Sequence, residues 1–208
     1  LVDSDDILVE TRVENGKKNA SERDVTATGM RYIDRAGSFV NGFFDPSYGD
    51  KELVRDNAFG FTNTTWNSHV LKRCLPIPED CVLVDWFVAI LALHNGASFG
   101  YDREPRMFYR QHSNNIAASR PPFRAGQILN AVHLVLDHYN FIINYFETHG
   151  VGWVRKFAEA RDNVAQFLKV MGDEVLLERY VAMLNALPDQ HVWWSCVAHP
   201  KLERLWKK

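Results

Sequence analysis

Between Val82 and Asn115 the chain reads VLVDWFVAILALHNGASFGYDREPRMFYRQHSNN. One carboxylate, Asp85, interrupts an apolar run and opens a helical pattern to about His94, where Asn95-Gly96 supplies a stop. Ala97–Tyr101 and Met107–Gln111 then read as strands joined by a turn at Asp102–Pro105. The stretch closes on a dense polar cluster, Tyr109-Arg110-Gln111-His112-Ser113-Asn114-Asn115. An apolar helix running straight into strands makes this an α/β segment. It also sets a lone carboxylate and a polar cluster close together in the fold.

The residues before this stretch carry strand and turn signals. Leu1-Val2 reads as the end of a buried strand running out into an acidic loop, Asp3-Ser4-Asp5-Asp6. With no initiating methionine, that opening suggests that further chain precedes it in the intact protein. Ile7–Val13 is open to strand or short helix. Glu14–Asp24, polar and with an Asn-Gly pair, reads as an exposed loop. Val25–Ile33 and Ser38–Phe44 form a hairpin pattern around Asp34–Gly37. Lys51–Asp56 reads as a short helix. Asn57–Thr65, mixing Gly, Asn and Thr with aromatics, suits a segment beside a ligand. Asn67–Cys74 is a short helix ended by Pro76. Cys81–Val84 is a strand or a buried turn.

After Asn115 the texture changes. Ser119–Phe123 (SRPPF) excludes helix through its paired prolines and reads as a linker. Beyond it, Gln127–Phe146, Trp153–Met171 and Glu174–Leu187 carry apolar residues at helical spacing, and Pro200–Trp206 is a short last helix. The expectation is an α/β part, residues 1–118, followed by an all-helical subdomain, residues 119–208.

Composition limits the function classes. The 208 residues are 46% apolar and 24% charged, with a net charge of −2, which is the balance of a folded globular chain without a global attraction for nucleic acid. The three cysteines, Cys74, Cys81 and Cys196, have neither disulfide-framework nor zinc-ligand spacing. The apolar runs fall well short of the roughly 20 residues of a membrane span. Asn19-Ala20-Ser21 matches a glycosylation acceptor only formally.

Three groups of residues carry chemistry. Asp3 and Asp5 place carboxylates at a strand end, where oxygen ligands can hold Mg²⁺ or Mn²⁺ on a diphosphate; an acidic solvated turn is the simpler alternative. Asp85, in apolar surroundings, should have a raised pKa, which suits a general base, while the helix N-terminus opposes that rise. The alternative there is a plain N-cap. In the third group, Arg110 can hold phosphate oxygens, Gln111, Asn114 and Asn115 can bind sugar hydroxyls, and His112 can ligate a metal or bind phosphate. The alternative is a polar loop that satisfies its own backbone. The other histidines have no ligand spacing.

In this order, D-x-D-D after a strand, an Asp-Trp pair opening a helix, and Tyr-Arg-Gln-His-x-x-Asn resemble the family 2 glycosyltransferases. The closest branch is the rhamnosyltransferase-like bacterial enzymes of polysaccharide synthesis. Met30–Gly37 and Asn57–Asn67 are similar to the same family, so the resemblance covers about Leu1 to Asn115. It implies a GT-A fold and metal-dependent inverting transfer from a nucleoside-diphosphate sugar to a hydroxyl on a glycan or lipid-linked glycan. It implies Mn²⁺ or Mg²⁺ at Asp3, Asp5 and His112, with Asp5 ahead of Asp3. Asp85 becomes the base, Trp86 shapes the acceptor pocket, and Arg110, Gln111 and His112 meet the diphosphate and metal. In that family a nucleotide-binding βαβ unit precedes the D-x-D, and it is not within these residues. The chain is then the C-terminal part of a GT-A mixed sheet, the metal–diphosphate and acceptor half, followed by helices. The resemblance implies a cytoplasmic site at or near the inner face of the membrane. The helical tail can serve the acceptor side, a membrane surface or a homo-oligomer. Two other functions fit the same residues: a non-catalytic glycan-binding or scaffold module derived from such an enzyme, and a metal-dependent phosphoesterase.

Overall fold

The computed structural model describes residues 3–112, 115–117, 119–188 and 191–207. The strand end expected at Leu1-Val2 lies outside them. Five strands form one mixed sheet: β1 (Ile7–Leu8), β2 (Val25–Ile33), β3 (Phe39–Phe44), β4 (Thr64–Trp66) and β5 (Phe99–Arg110). The spatial order is β1-β5-β2-β3, and β4 pairs with β2 beside the start of that strand. β2 and β5 run parallel; the other pairs are antiparallel. A parallel pair needs a long crossover, and here it contains two helices, α2 (Ser68–Arg73) and α3 (Val84–His94). A further helix, α1 (Arg12–Glu22), packs on β2, β4 and β5.

α3 is the centre of the molecule. Its residues Trp86–Ala92 are all buried, as expected of a helix that is apolar all round. One side of it meets α4 (Ala125–Thr148), on which α5 (Val154–Met171) and α6 (Glu174–Asn185) pack in turn. Trp86 stacks on His138 of α4 with ring centres 4.6 Å apart, and Phe87 packs edge-on against Phe141 and Tyr145. A single hydrophobic core therefore runs from the sheet into the helical region. No described helix is long and apolar enough to cross a membrane.

Three local expectations are corrected. Glu14–Asp24 is not a loop, since most of it belongs to α1. That helix buries Arg12 and Gly16 and half-buries Ala20, an i, i+4, i+8 face with no large apolar residue. Lys51–Asp56 is not a helix. The Asp50 carboxylate accepts backbone N–H groups from Glu52, Val54 and Arg55, which folds the segment into a compact turn. β5 is one strand rather than two. Its expected turn is a bulge, with Thr28 facing Asp102 and Gly29 facing Pro105. The strand stays continuous because residue 29 is glycine: a Cβ there would lie 2.5 Å from the Arg103 carbonyl oxygen.

Candidate active site

Asp85 is the second residue of α3. Its neighbour Trp86 is fully buried, and the Trp86 indole N–H donates to the Leu53 carbonyl at 2.8 Å. The Leu53 carbonyl sits in the compact turn, where Leu53 takes a φ of +53°. The Tyr139 hydroxyl donates to the adjacent Val54 carbonyl at 2.7 Å. Anchoring Trp86 into the core turns Asp85, about 100° further round the helix, towards a cleft of about 430 Å³. Trp86 was expected to shape that cleft. It faces the core instead, and its part is to orient the helix that carries Asp85.

The cleft brings together residues far apart in sequence. Asp3, Thr62, Asp85, Tyr109, His112 and Trp194 all line it. The Asp85 Oδ1 accepts the Trp86 backbone N–H at 2.8 Å, which favours the charged form. Burial works in the opposite direction and prevails, with repulsion from Asp3 adding to it, so the carboxyl is raised to about 6. A carboxylate at that value accepts a proton near neutral pH and can hold it briefly. Burial pushes the Tyr109 phenol up to about 12, leaving a neutral hydroxyl on the same wall.

The acidic loop divides its work. Asp6 braces the backbone: its carboxylate accepts the Thr62 hydroxyl and the Arg110 backbone N–H, each at 2.9 Å. Burial raises its pKa despite these two bonds. Asp5 lies opposite His112, with Oδ2 and Nε2 3.0 Å apart. Two ligands at right angles on a metal with bonds of about 2.1 Å stand roughly 3 Å apart, so the pair fits two cis positions of an octahedral Mg²⁺ or Mn²⁺. Among the described residues no group of three His, Cys, Asp or Glu side chains converges on one point. The pair therefore suits an ion that takes its remaining ligands from phosphate and water, the usual habit of Mg²⁺.

Other residues of the polar cluster hold the chain in place. The Arg110 guanidinium, expected on phosphate, donates to the carbonyls of Asp5 (2.8 Å), Asp34 (2.8 Å) and Arg35 (3.0 Å). It ties the acidic loop to the β2–β3 turn and is directed away from the cleft. The Gln111 backbone N–H bonds to Ile33, while its amide nitrogen is buried without an acceptor. Asn115 does line the cleft, and it also accepts the His112 N–H and donates to the Arg110 carbonyl at 3.1 Å, which steadies His112. Asn114 lies outside the described residues.

One wall was not foreseen. After α6 the chain returns to the sheet, where Asn57 and Trp193 pair as an isolated bridge. Trp193 packs between Phe44 and Tyr109. Trp194 lines the cleft with a φ of +71°, a conformation costly for a bulky residue and found most often where surrounding structure enforces it. The only sequence signal was a Trp-Trp pair outside any periodic pattern.

No family model, curated protein or solved structure matches this chain. The functional reading rests on the cleft itself.

Proposed function

We propose that the chain is the acceptor and metal–diphosphate half of a metal-dependent inverting glycosyltransferase of the GT-A type. The observation that carries the reading is the meeting of Asp3, Asp85 and His112 on one cleft, with Asp5 against His112. The donor is a nucleoside-diphosphate sugar and the acceptor a hydroxyl on a glycan or lipid-linked glycan. Asp5 and His112, with Asp3 on the same cleft, would hold Mn²⁺ or Mg²⁺, which would neutralise charge on the donor diphosphate.

Asp85 takes the proton of the acceptor hydroxyl as that oxygen bonds to the anomeric carbon. The bond from that carbon to the diphosphate oxygen breaks, and the diphosphate leaves with the electron pair. Attack from the face opposite the leaving group inverts the configuration. The exposed Ile116 and Val82 on the cleft rim favour an acceptor with an apolar portion, as a lipid-linked glycan has.

The test is release of nucleoside diphosphate from a panel of nucleotide sugars, by the protein together with the nucleotide-binding unit this reading requires, with Mn²⁺ and short glycan or lipid-glycan acceptors. The expected result is acceptor-dependent release, abolished by chelator, and a product of inverted anomeric configuration. Glycan binding that is indifferent to chelator, with no release from any donor, would point instead to a binding module. Release of phosphate from simple esters would point to a phosphoesterase.

A further inference from the structure

A second cavity, of about 370 Å³, lies between α1 and β4, and Thr62 forms part of its wall as well as part of the Asp85 cleft. Its chemistry is one-sided. Arg12 lines it and is only 7% exposed. The Arg12 Nη1 donates to the Thr65 hydroxyl at 2.9 Å, and its Nε is buried with no acceptor among the described residues. Trp66 lines the same cavity, and its indole nitrogen is also buried with no acceptor among the described residues. Lys17 adds an exposed ammonium, and no carboxylate lines the space.

Arg12 forms no ion pair among the described residues. The acid whose field reaches it, Asp102, is already engaged by Arg106 at 3.2 Å. A buried guanidinium that only shares a counter-charge with another arginine is costly, and so is a buried N–H without an acceptor. Water can satisfy the N–H groups but adds nothing to the charge compensation that Asp102 already shares with Arg106. An anion answers both needs. The helix is also shaped for close approach here: a Cβ on Gly16 would lie 3.0 Å from the Thr65 hydroxyl and 3.4 Å from Arg12 Nη1. Glycine is a poor choice inside a helix, and at this position it keeps the Arg12–Thr65 pair uncrowded.

We infer that this cavity binds a phosphate-type oxyanion. Arg12 and the Trp66 indole N–H hold its oxygens, and Lys17 stands at the mouth. Guanidinium groups match phosphate geometry with two parallel N–H bonds. The space exceeds a bare phosphate, and its Leu8 and Val13 walls suit an organic group attached to it.

The test is a titration of the chain with inorganic phosphate and, separately, phenyl phosphate, at ionic strength held constant with sodium chloride. The indole N–H signal of Trp66 reports occupancy, and the melting temperature reports linkage. A saturable shift of that signal and a rise in melting temperature beyond the chloride control are expected. Tighter binding of phenyl phosphate assigns the site to organic phosphates, and equal binding assigns it to the inorganic ion. Arg12→Met should melt no lower than the parent without phosphate and should lose the phosphate-dependent rise. If that variant does not fold, Lys17→Gln decides, with the phosphate-free melting temperature unchanged and affinity at least threefold weaker. No saturable response beyond chloride, or a full response in the variant that folds, overturns the assignment.

Discussion

The Asp5 carboxylate and the His112 imidazole stand 3.0 Å apart across 107 residues of chain. Each is held from behind. The Asp5 backbone carbonyl accepts from the Arg110 guanidinium, and the His112 backbone N–H donates to Asn115. Side chains of one acidic and one basic type, braced in this way at cis-ligand spacing, should hold Mn²⁺ together with phosphate and water. Asp5→Ala and His112→Ala should each weaken Mn²⁺ at least tenfold, about 1.4 kcal/mol, when free Mn²⁺ is followed by electron paramagnetic resonance. Unchanged titrations in both variants would remove the metal from this pair.

Asp85 should make the native fold less stable as it ionises. Its folded pKa of about 6 lies above the ordinary value of 3.8. The folded state therefore binds the proton more tightly, and stability is lost as pH rises from about 4 through 6. Asp85→Asn removes that loss. Above pH 7 the variant should be more stable than the parent by roughly 2–3 kcal/mol, with no gain below pH 4. Urea unfolding at pH 4 and pH 8 checks both halves; an equal difference at the two values would contradict the raised pKa.

Asp85 could be read in the sequence because a single carboxylate inside VLVDWFV breaks an otherwise apolar pattern. The D-x-D pair and the Tyr-Arg-Gln-His cluster were visible for the same reason, as polar residues concentrated at strand ends. The direction of each side chain was not visible. Trp86 and Asp85 are adjacent, and tertiary contacts decide which of them faces the core: the Leu53 carbonyl, in a turn built by Asp50, and the His138 ring. Likewise, nothing in the letters Arg110 separates a phosphate ligand from a clamp on three carbonyls. α1 escaped because its inward face is Arg12, Gly16 and Ala20, and an apolar periodicity search has nothing to find there. The continuity of β5 depended on Gly29, a residue of a different strand. The Trp193–Trp194 wall is set by tertiary pairing with Asn57, which no local pattern encodes.

His138 is buried against Trp86, and both of its ring nitrogens lack partners among the described residues. Burial holds its pKa down at about 3, against 6.5 in the unfolded chain. The unfolded state therefore takes up a proton first, and stability falls as pH drops below 6.5 towards 3. At pH 5 this effect amounts to about 2 kcal/mol. His138→Phe keeps a ring on Trp86 and should flatten that slope, as measured by urea unfolding from pH 7.5 to pH 5. A slope equal to the parent's would show that His138 is not the group responsible.

Arg110 should behave as a structural clamp. Replacing it with lysine removes the planar fork that reaches three carbonyls at once. Hydrogen bonds to charged groups contribute about 1.5–3 kcal/mol each, so Arg110→Lys should lower stability by roughly 2 kcal/mol and loosen Asp5. Mn²⁺ affinity should fall with it, although Arg110 touches no metal. Unaltered stability together with weaker diphosphate binding would return Arg110 to the phosphate role.

The most direct test of the account is turnover by Asp85→Asn in the presence of Mn²⁺, a competent nucleotide sugar and acceptor, with donor binding measured in parallel. The predicted result is unchanged donor and Mn²⁺ binding with transfer reduced by about 10²–10⁴-fold, the range for loss of a general base. In the parent, transfer should rise with pH through about 6. Transfer by the variant at the parent's rate, with the same pH profile, would contradict the assignment of Asp85 as the base.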